Sequence, residues 1–145
     1  MYLFFFFSFA DAADKGIARA LSSGCKKPLL YLVESKLGST FEASSLVSCL
    51  GALKALYVSL EMREGVPEKA VKLDTVGVFV GDDKNLPNVL KLATIIEDGK
   101  SVCRDIGGSD PERTAAPRSN IDLLFINLQR RNSFNKFSNL VIDTF

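Results

Sequence analysis

Histidine is missing altogether from this chain of 145 residues. Its absence excludes a Ser-His-Asp triad, a Cys-His dyad, imidazole acid–base chemistry and any His-ligated metal built from these residues. Cysteine is scarce: Cys25, Cys49 and Cys103 are odd in number and far apart. Neither a CxxC zinc site nor a complete disulfide framework fits that spacing, so the expectation is buried, reduced, structural thiols in a cytosolic protein. An excess of one charge is also lacking, with 18 basic against 17 acidic residues and a formal charge of +1. That balance argues against a general nucleic-acid partner or an anionic membrane surface. The first nine residues, Met-Tyr-Leu-Phe-Phe-Phe-Phe-Ser-Phe, are apolar but too short to span a bilayer as a helix. They fit a signal-peptide core poorly, because no Lys or Arg precedes them, although Ala10-Asp11-Ala12 imitates a cleavage site. A buried strand is the other reading of this run.

What is present suits a globular domain: 47% of the residues are apolar, in a chain long enough to bury a core. Ala10, Ala13, Ile17, Ala20 and Leu21 recur at helical spacing, with Gly24 as the stop. Leu29-Leu30-Tyr31-Leu32-Val33 is an uninterrupted apolar run, the pattern of a strand buried on both faces. Ser39 and Glu42 have capping-box spacing. Leu46, Leu50, Leu53, Leu56 and Leu60 then trace one helical face; the helix is expected to run to about Tyr57, while Val58 to Arg63 fits a helix or a strand. A loop with Pro67 leads to a strand from Leu73 to Val80, rich in β-branched and aromatic residues. Pro87 suits the first turn of a long helix, in which Val89, Leu92, Ile96, Gly99, Cys103 and Ile106 form the cleanest apolar stripe of the chain. That stripe is expected to pack on the sheet, with Gly99 marking a close backbone approach. The order is helix, strand, helix, strand, helix, an α/β alternation with a mainly parallel sheet.

The stretch from Ser101 to Pro117 reads as a hinge. Gly107-Gly108 is the expected left-handed stop of one helix, and Ser109, Pro111 and Glu112 are start signals for the next. Gly107-Gly108-Ser109 has neither the G-x-G-x-x-G spacing nor the Gly-Lys-Ser/Thr ending of a phosphate cradle. Asp82-Asp83 reads as a solvated turn rather than a cation site, since adjacent side chains do not converge. Beyond Arg118 the chain is rich in Asn and Phe. Residues 121–126, Ile-Asp-Leu-Leu-Phe-Ile, fit a strand or a helix turn, and Arg130, Arg131 and Lys136 are too few for a single-strand nucleic-acid groove.

Several segments together resemble a known family. Phe9-Ala10-Asp11-Ala12-Ala13-Asp14-Lys15-Gly16-Ile17 and Ser23-Gly24-Cys25-Lys26-Lys27-Pro28-Leu29-Leu30 are similar to the amino-terminal domain of leucyl (cytosol) aminopeptidases, in the animal aminopeptidase-like branch. Gly51-Ala52-Leu53-Lys54-Ala55-Leu56-Tyr57-Val58 and Thr75-Val76-Gly77-Val78-Phe79-Val80 extend the likeness. Cys103-Arg104-Asp105-Ile106-Gly107-Gly108-Ser109-Asp110-Pro111-Glu112-Arg113 resembles the passage from that domain into the catalytic one. The resemblance implies a macro-domain-like, three-layer α/β unit, here incomplete, in a cytoplasmic metalloexopeptidase that removes amino-terminal residues from peptides. It implies a homohexamer and two divalent ions, zinc or manganese, held in a separate carboxy-terminal domain with the Asn-Thr-Asp-Ala-Glu-Gly-Arg signature. None of that signature occurs here, so no residue is assigned a catalytic, cofactor-binding or metal-ligating role.

The expected organisation is an apolar leader at 1–8, the α/β domain at 9–106, a junction at 107–118 and a divergent tail at 119–145. The expected product is a truncated, non-catalytic fragment that self-associates through surfaces meant for missing partners. A macro-domain-like module binding ADP-ribose or another nucleotide is the alternative.

Overall fold

The computed structural model describes residues 2–32, 43–79 and 85–108, with the backbone alone for 2–7. Six helical or extended elements follow one another: α1 (Tyr2–Ser22), β1 (Leu29–Tyr31), α2 (Ser44–Leu56), α3 (Leu60–Gly65), β2 (Gly77–Phe79) and α4 (Leu86–Gly108). A 3-10 turn, Pro67–Lys69, lies between α3 and β2. The α/β alternation expected from periodicity is therefore present. The Phe-rich start is helical and not a strand, and α1 runs unbroken across residues 8 and 9. No described helix is long and apolar enough to cross a membrane.

Local chemistry explains where α1 stops. Gly24 adopts a φ of 79°, where a side chain would be strained. With that bend, Gly24 N donates to Leu21 O at 3.0 Å and Cys25 N to Ala20 O at 3.1 Å. These two bonds satisfy carbonyls that the ending helix would leave open. Inside the helix, Ala13 and Ile17 are buried, as their spacing predicts.

Helix α2 is the centre of the packing and touches both α1 and α4. Small residues make this possible: Ser48, Cys49, Gly51 and Ala52 are its buried positions. At Gly51 the α1 backbone comes so close that an added Cβ would sit 2.7 Å from Ala10 Cα. The close approach anticipated at Gly99 is absent, since a Cβ there would meet nothing within 4 Å. The open segment after Tyr57 resolves as helix α3, with only Leu60 buried in it. Tyr57 N donates to Lys54 O at the end of α2. Lys72 Nζ donates to Ala55 O and Tyr57 O, at 2.9 and 2.7 Å, and so covers the carbonyl end of the helix. Burial lowers the Lys72 pKa, against an opposing pull from Asp14.

Strands β1 and β2 pair in parallel, with Leu29 beside Gly77, Leu30 beside Val78 and Tyr31 beside Phe79. Leu30 and Val78 point to the helices, where Val76, Ala52 and Ala93 complete the core. The opposite face departs from the expectation of burial on both sides. Leu29 is 69% and Tyr31 61% exposed, and the Tyr31 ring stacks on Phe79 at 5.5 Å. Among the described residues, α2 supplies cover on one face only, so the strand pattern of near-continuous apolar residues does not translate into a doubly covered sheet. The Ser39–Glu42 capping box and Gly81-Asp82-Asp83 lie outside the described residues.

The clean stripe of α4 is turned largely outward, with Val89 and Ile96 half-buried at its edge. Leu86 and Ala93 are buried and Leu90 is half-buried, on the side that meets α2. Leu92, Cys103 and Ile106, expected in the core, are exposed. Ala93, with 0% exposure, lets the helix approach α2 closely, which a stripe of Leu and Ile would prevent. Gly107 and Gly108 remain helical, without the left-handed stop. Pro87 does fall in the first turn.

Two glycine substitutions should have opposite signs in denaturant unfolding. Gly51→Ala, which drives a methyl into the Ala10 backbone, should cost about 2–3 kcal/mol. Gly16→Ala, in open space on α1, should stabilise by about 1 kcal/mol. Equal effects at the two sites would contradict the close approach of α1 and α2.

Candidate functional site

The described residue set brings five polar side chains together beneath α4. Glu97, Arg104 and Asp105 come from the helix itself, at spacings that share its inward side. Tyr57 comes from the corner after α2, and Arg63 from α3. Asp105 has no exposed side-chain surface, and its Oδ2 lies 2.6 Å from Arg63 Nη2. Tyr57 Oη donates to Asp105 Oδ1 at 2.8 Å. The Arg104 guanidinium lies 5.1 Å from the centre of the Tyr57 ring, a cation–π distance, and also pairs with Glu97 through Nη1 and Oε1.

Burial pushes the Tyr57 hydroxyl up to about 12, reinforced by its hydrogen bond to Asp105 and by that carboxylate's charge. The two nearby arginines pull the other way but do not cancel the effect. Tyr57 is thus a neutral hydrogen-bond donor at physiological pH. The arrangement has no activated nucleophile. The Arg63–Asp105 contact is a charge pair outside good hydrogen-bond alignment. Its chemistry is that of a fastening: a buried carboxylate satisfied by a phenol and a guanidinium from two other segments. Among the described residues, no three Cys, Asp or Glu side chains gather in a metal-holding group.

The amino-acid sequence alone points to no site residue and does not reveal this cluster. Its one readable signal is that Glu97, Arg104 and Asp105 fall on one side of a helix whose other side is apolar. Gly107 and Gly108 lie in α4, while Asp82-Asp83, Ser109, Arg130, Arg131 and Lys136 lie outside the described residues. The three cysteines are free and separate. Cys49 is buried as expected, and burial raises its pKa to about 11. Cys25 and Cys103 are exposed, against the expectation of buried thiols: Cys25 follows the helix stop and Cys103 sits on the outward side of α4.

Cys49 also borders an apolar cavity between α2 and the sheet, with Leu30, Leu53, Val76 and Val78. Its volume of about 20 Å³ admits about one water-sized molecule, and its apolar lining favours a dry void. It offers nothing to a nucleotide.

Two measurements test this site. Asp105→Ala strands the Arg63 charge and should destabilise by about 3–5 kcal/mol, whereas Tyr57→Phe should cost about 1–2 kcal/mol. Similar losses for both would contradict the assigned geometry. The second measurement is stability against pH. The folded Tyr57 holds its proton more tightly than the unfolded chain, so its contribution is complete below pH 10 and is lost as pH rises through about 12. Tyr57→Phe should flatten part of that fall; an unchanged profile would refute the assignment.

Comparison with curated proteins gives one relationship. The chain is 40% identical over 108 residues to the Caenorhabditis elegans protein named "Putative aminopeptidase W07G4.4". The match takes in 74% of this chain and 20% of that protein, so the chain spans about a fifth of the relative's length. No family model and no solved structure matches. What the comparison supports is an aminopeptidase-like relationship in sequence.

Proposed function

We propose that this chain is the amino-terminal α/β domain of a leucyl aminopeptidase-like metalloexopeptidase and is non-catalytic by itself. The observation that carries this reading is the 40% identity over 108 residues with an aminopeptidase-named protein. The parallel β1–β2 pair with helices between and after its strands agrees with the α/β unit that the resemblance implies. In this reading residues 9–106 are the domain and 107–118 its junction, with 1–8 and 119–145 departing from the family pattern. Macro-domain-like architecture, a homohexamer and cytoplasmic location belong to the same proposal.

Chemical work is assigned elsewhere in the whole protein. Two zinc or manganese ions in a carboxy-terminal domain would activate water and polarise the peptide carbonyl. The fastening under α4 gives this unit a rigid frame rather than a reaction centre. Its uncovered sheet face, with Leu29, Tyr31 and Phe79, is the surface through which the isolated chain self-associates.

The purified chain should not hydrolyse leucyl-p-nitroanilide, with or without zinc or manganese; metal-dependent turnover that survives removal of host aminopeptidases would overturn the non-catalytic assignment. A chimera separates this from a merely unrelated fold. When the matching 108 residues of the nematode relative are replaced by those of this chain, the chimera should fold and keep the relative's aminopeptidase activity. An insoluble or inactive chimera beside an active parent would count against the domain assignment.

A further inference from the structure

Strand β1 leaves one edge of the sheet open. Gly77 N donates to Pro28 O at 3.0 Å and Leu32 N to Phe79 O at 2.9 Å, so the backbone groups of Pro28, Leu30 and Leu32 turn to β2. The N–H and C=O groups of Leu29 and Tyr31 therefore point to the opposite edge, where no third strand pairs among the described residues. On β2 the corresponding outward groups belong to Val76 and Val78, which are buried. Leu29 and Tyr31 are instead the most exposed of the described large apolar residues. An open edge of this kind is a template for another strand.

We propose that a second copy of this chain adds to that edge, β1 pairing antiparallel with β1 about a two-fold axis at Leu30. In that register Leu29 of each copy lies opposite Tyr31 of the other, and each such pair exchanges N–H and C=O bonds in both directions. One surface thus satisfies itself, the condition for a closed two-fold contact. On the exposed face, Tyr31 already stacks on Phe79. Leu29 of the second copy closes the other flank of that ring, an aromatic–aliphatic cross-strand pair. Charge selects the direction. Lys26 and Lys27 are exposed just before β1. Parallel addition would set the lysines of both copies side by side, whereas antiparallel pairing sends them to opposite ends. A peptide from another protein meets the same edge but brings no fixed apolar match for Leu29 and Tyr31. Strands this short bury well under the roughly 800 Å² a side of a standard interface, so the dimer is weak and dissociates on dilution. This pairing rests on the self-association proposed above, to which it gives a geometry, and does not depend on the aminopeptidase reading.

Sedimentation of the full chain over a dilution series should show a monomer–dimer equilibrium. Leu29→Pro removes an N–H that β2 does not use, so it blocks the edge and leaves the β1–β2 ladder intact. It should weaken the dimer at least about tenfold. Buried Cys49 should stay slow toward a thiol reagent in that variant, as the check on folding. A monomer at every concentration, or a dimer unmoved by Leu29→Pro, would overturn the pairing. Should Cys49 become fast, a distance decides. In the Cys25→Ser/Cys103→Ser/Lys27→Cys variant, nitroxide labels at position 27 of the two copies should lie roughly 20–35 Å apart, about six strand residues plus the label arms. A shorter separation would show parallel addition, and a longer one association through another surface. Either refutes the edge pairing while leaving self-association itself standing.

Discussion

A carboxylate with no exposed side-chain surface, Asp105, fixes how the last described helix lies on the rest of the molecule. A buried charge is costly unless partners meet it, and its partners here come from two other places in the chain. Arg63 lies on α3, and Tyr57 at the corner where α2 ends. Satisfying Asp105 therefore brings three segments to one point. It also selects the rotation of α4, because Asp105 faces inward only when Leu92, Ile95 and Ile106 face outward. Ala93 and Leu86 secure the same rotation at the other end of the helix through close packing on α2.

The rest of the frame follows from small residues and a tight stop. Gly51 lets α1 and α2 approach at backbone distance, and Gly24 turns the chain towards β1. The Lys54–Asp14 pair, at 3.0 Å, bridges the same two helices at the surface. Exposed pairs of this kind contribute about 0–1 kcal/mol, so packing at Gly51 decides the α1–α2 geometry and the ion pair decorates it. Lys72 completes the frame by covering the carbonyl end of α2.

Much of this architecture is legible in the amino-acid sequence alone. Helical spacing marks α1, α2 and α4, β-branched and apolar runs mark the strands, and the alternation implies the parallel pairing that β1 and β2 adopt. The orientation of α4 is not legible in the same way. Its apolar residues occupy two sides, and hydropathy favours the richer stripe, which faces outward. The inward side holds Glu97, Arg104 and Asp105, which any hydropathy pattern assigns to solvent. Only the partners supplied by Tyr57 and Arg63 make that side buriable, and those partners are more than forty residues away for the tyrosine. Gly99 and Gly51 make the same point: both lie inside helices, but only three-dimensional packing shows that Gly51 receives a neighbouring backbone. The functional reading rests on different ground, a sequence relationship to an aminopeptidase-named protein rather than a reaction centre in the described residues.

The most direct test of the central claim is a double-mutant cycle between Arg63 and Asp105, using Arg63→Met, Asp105→Asn and the pair, read by equilibrium unfolding in denaturant. If the buried carboxylate and guanidinium fasten α3 to α4, the two single losses will not add. A coupling energy of about 2–3 kcal/mol is predicted, with the double variant recovering much of the stability lost by either single one. Additive losses, with coupling within about 0.5 kcal/mol of zero, would show that Asp105 does not set the orientation of α4.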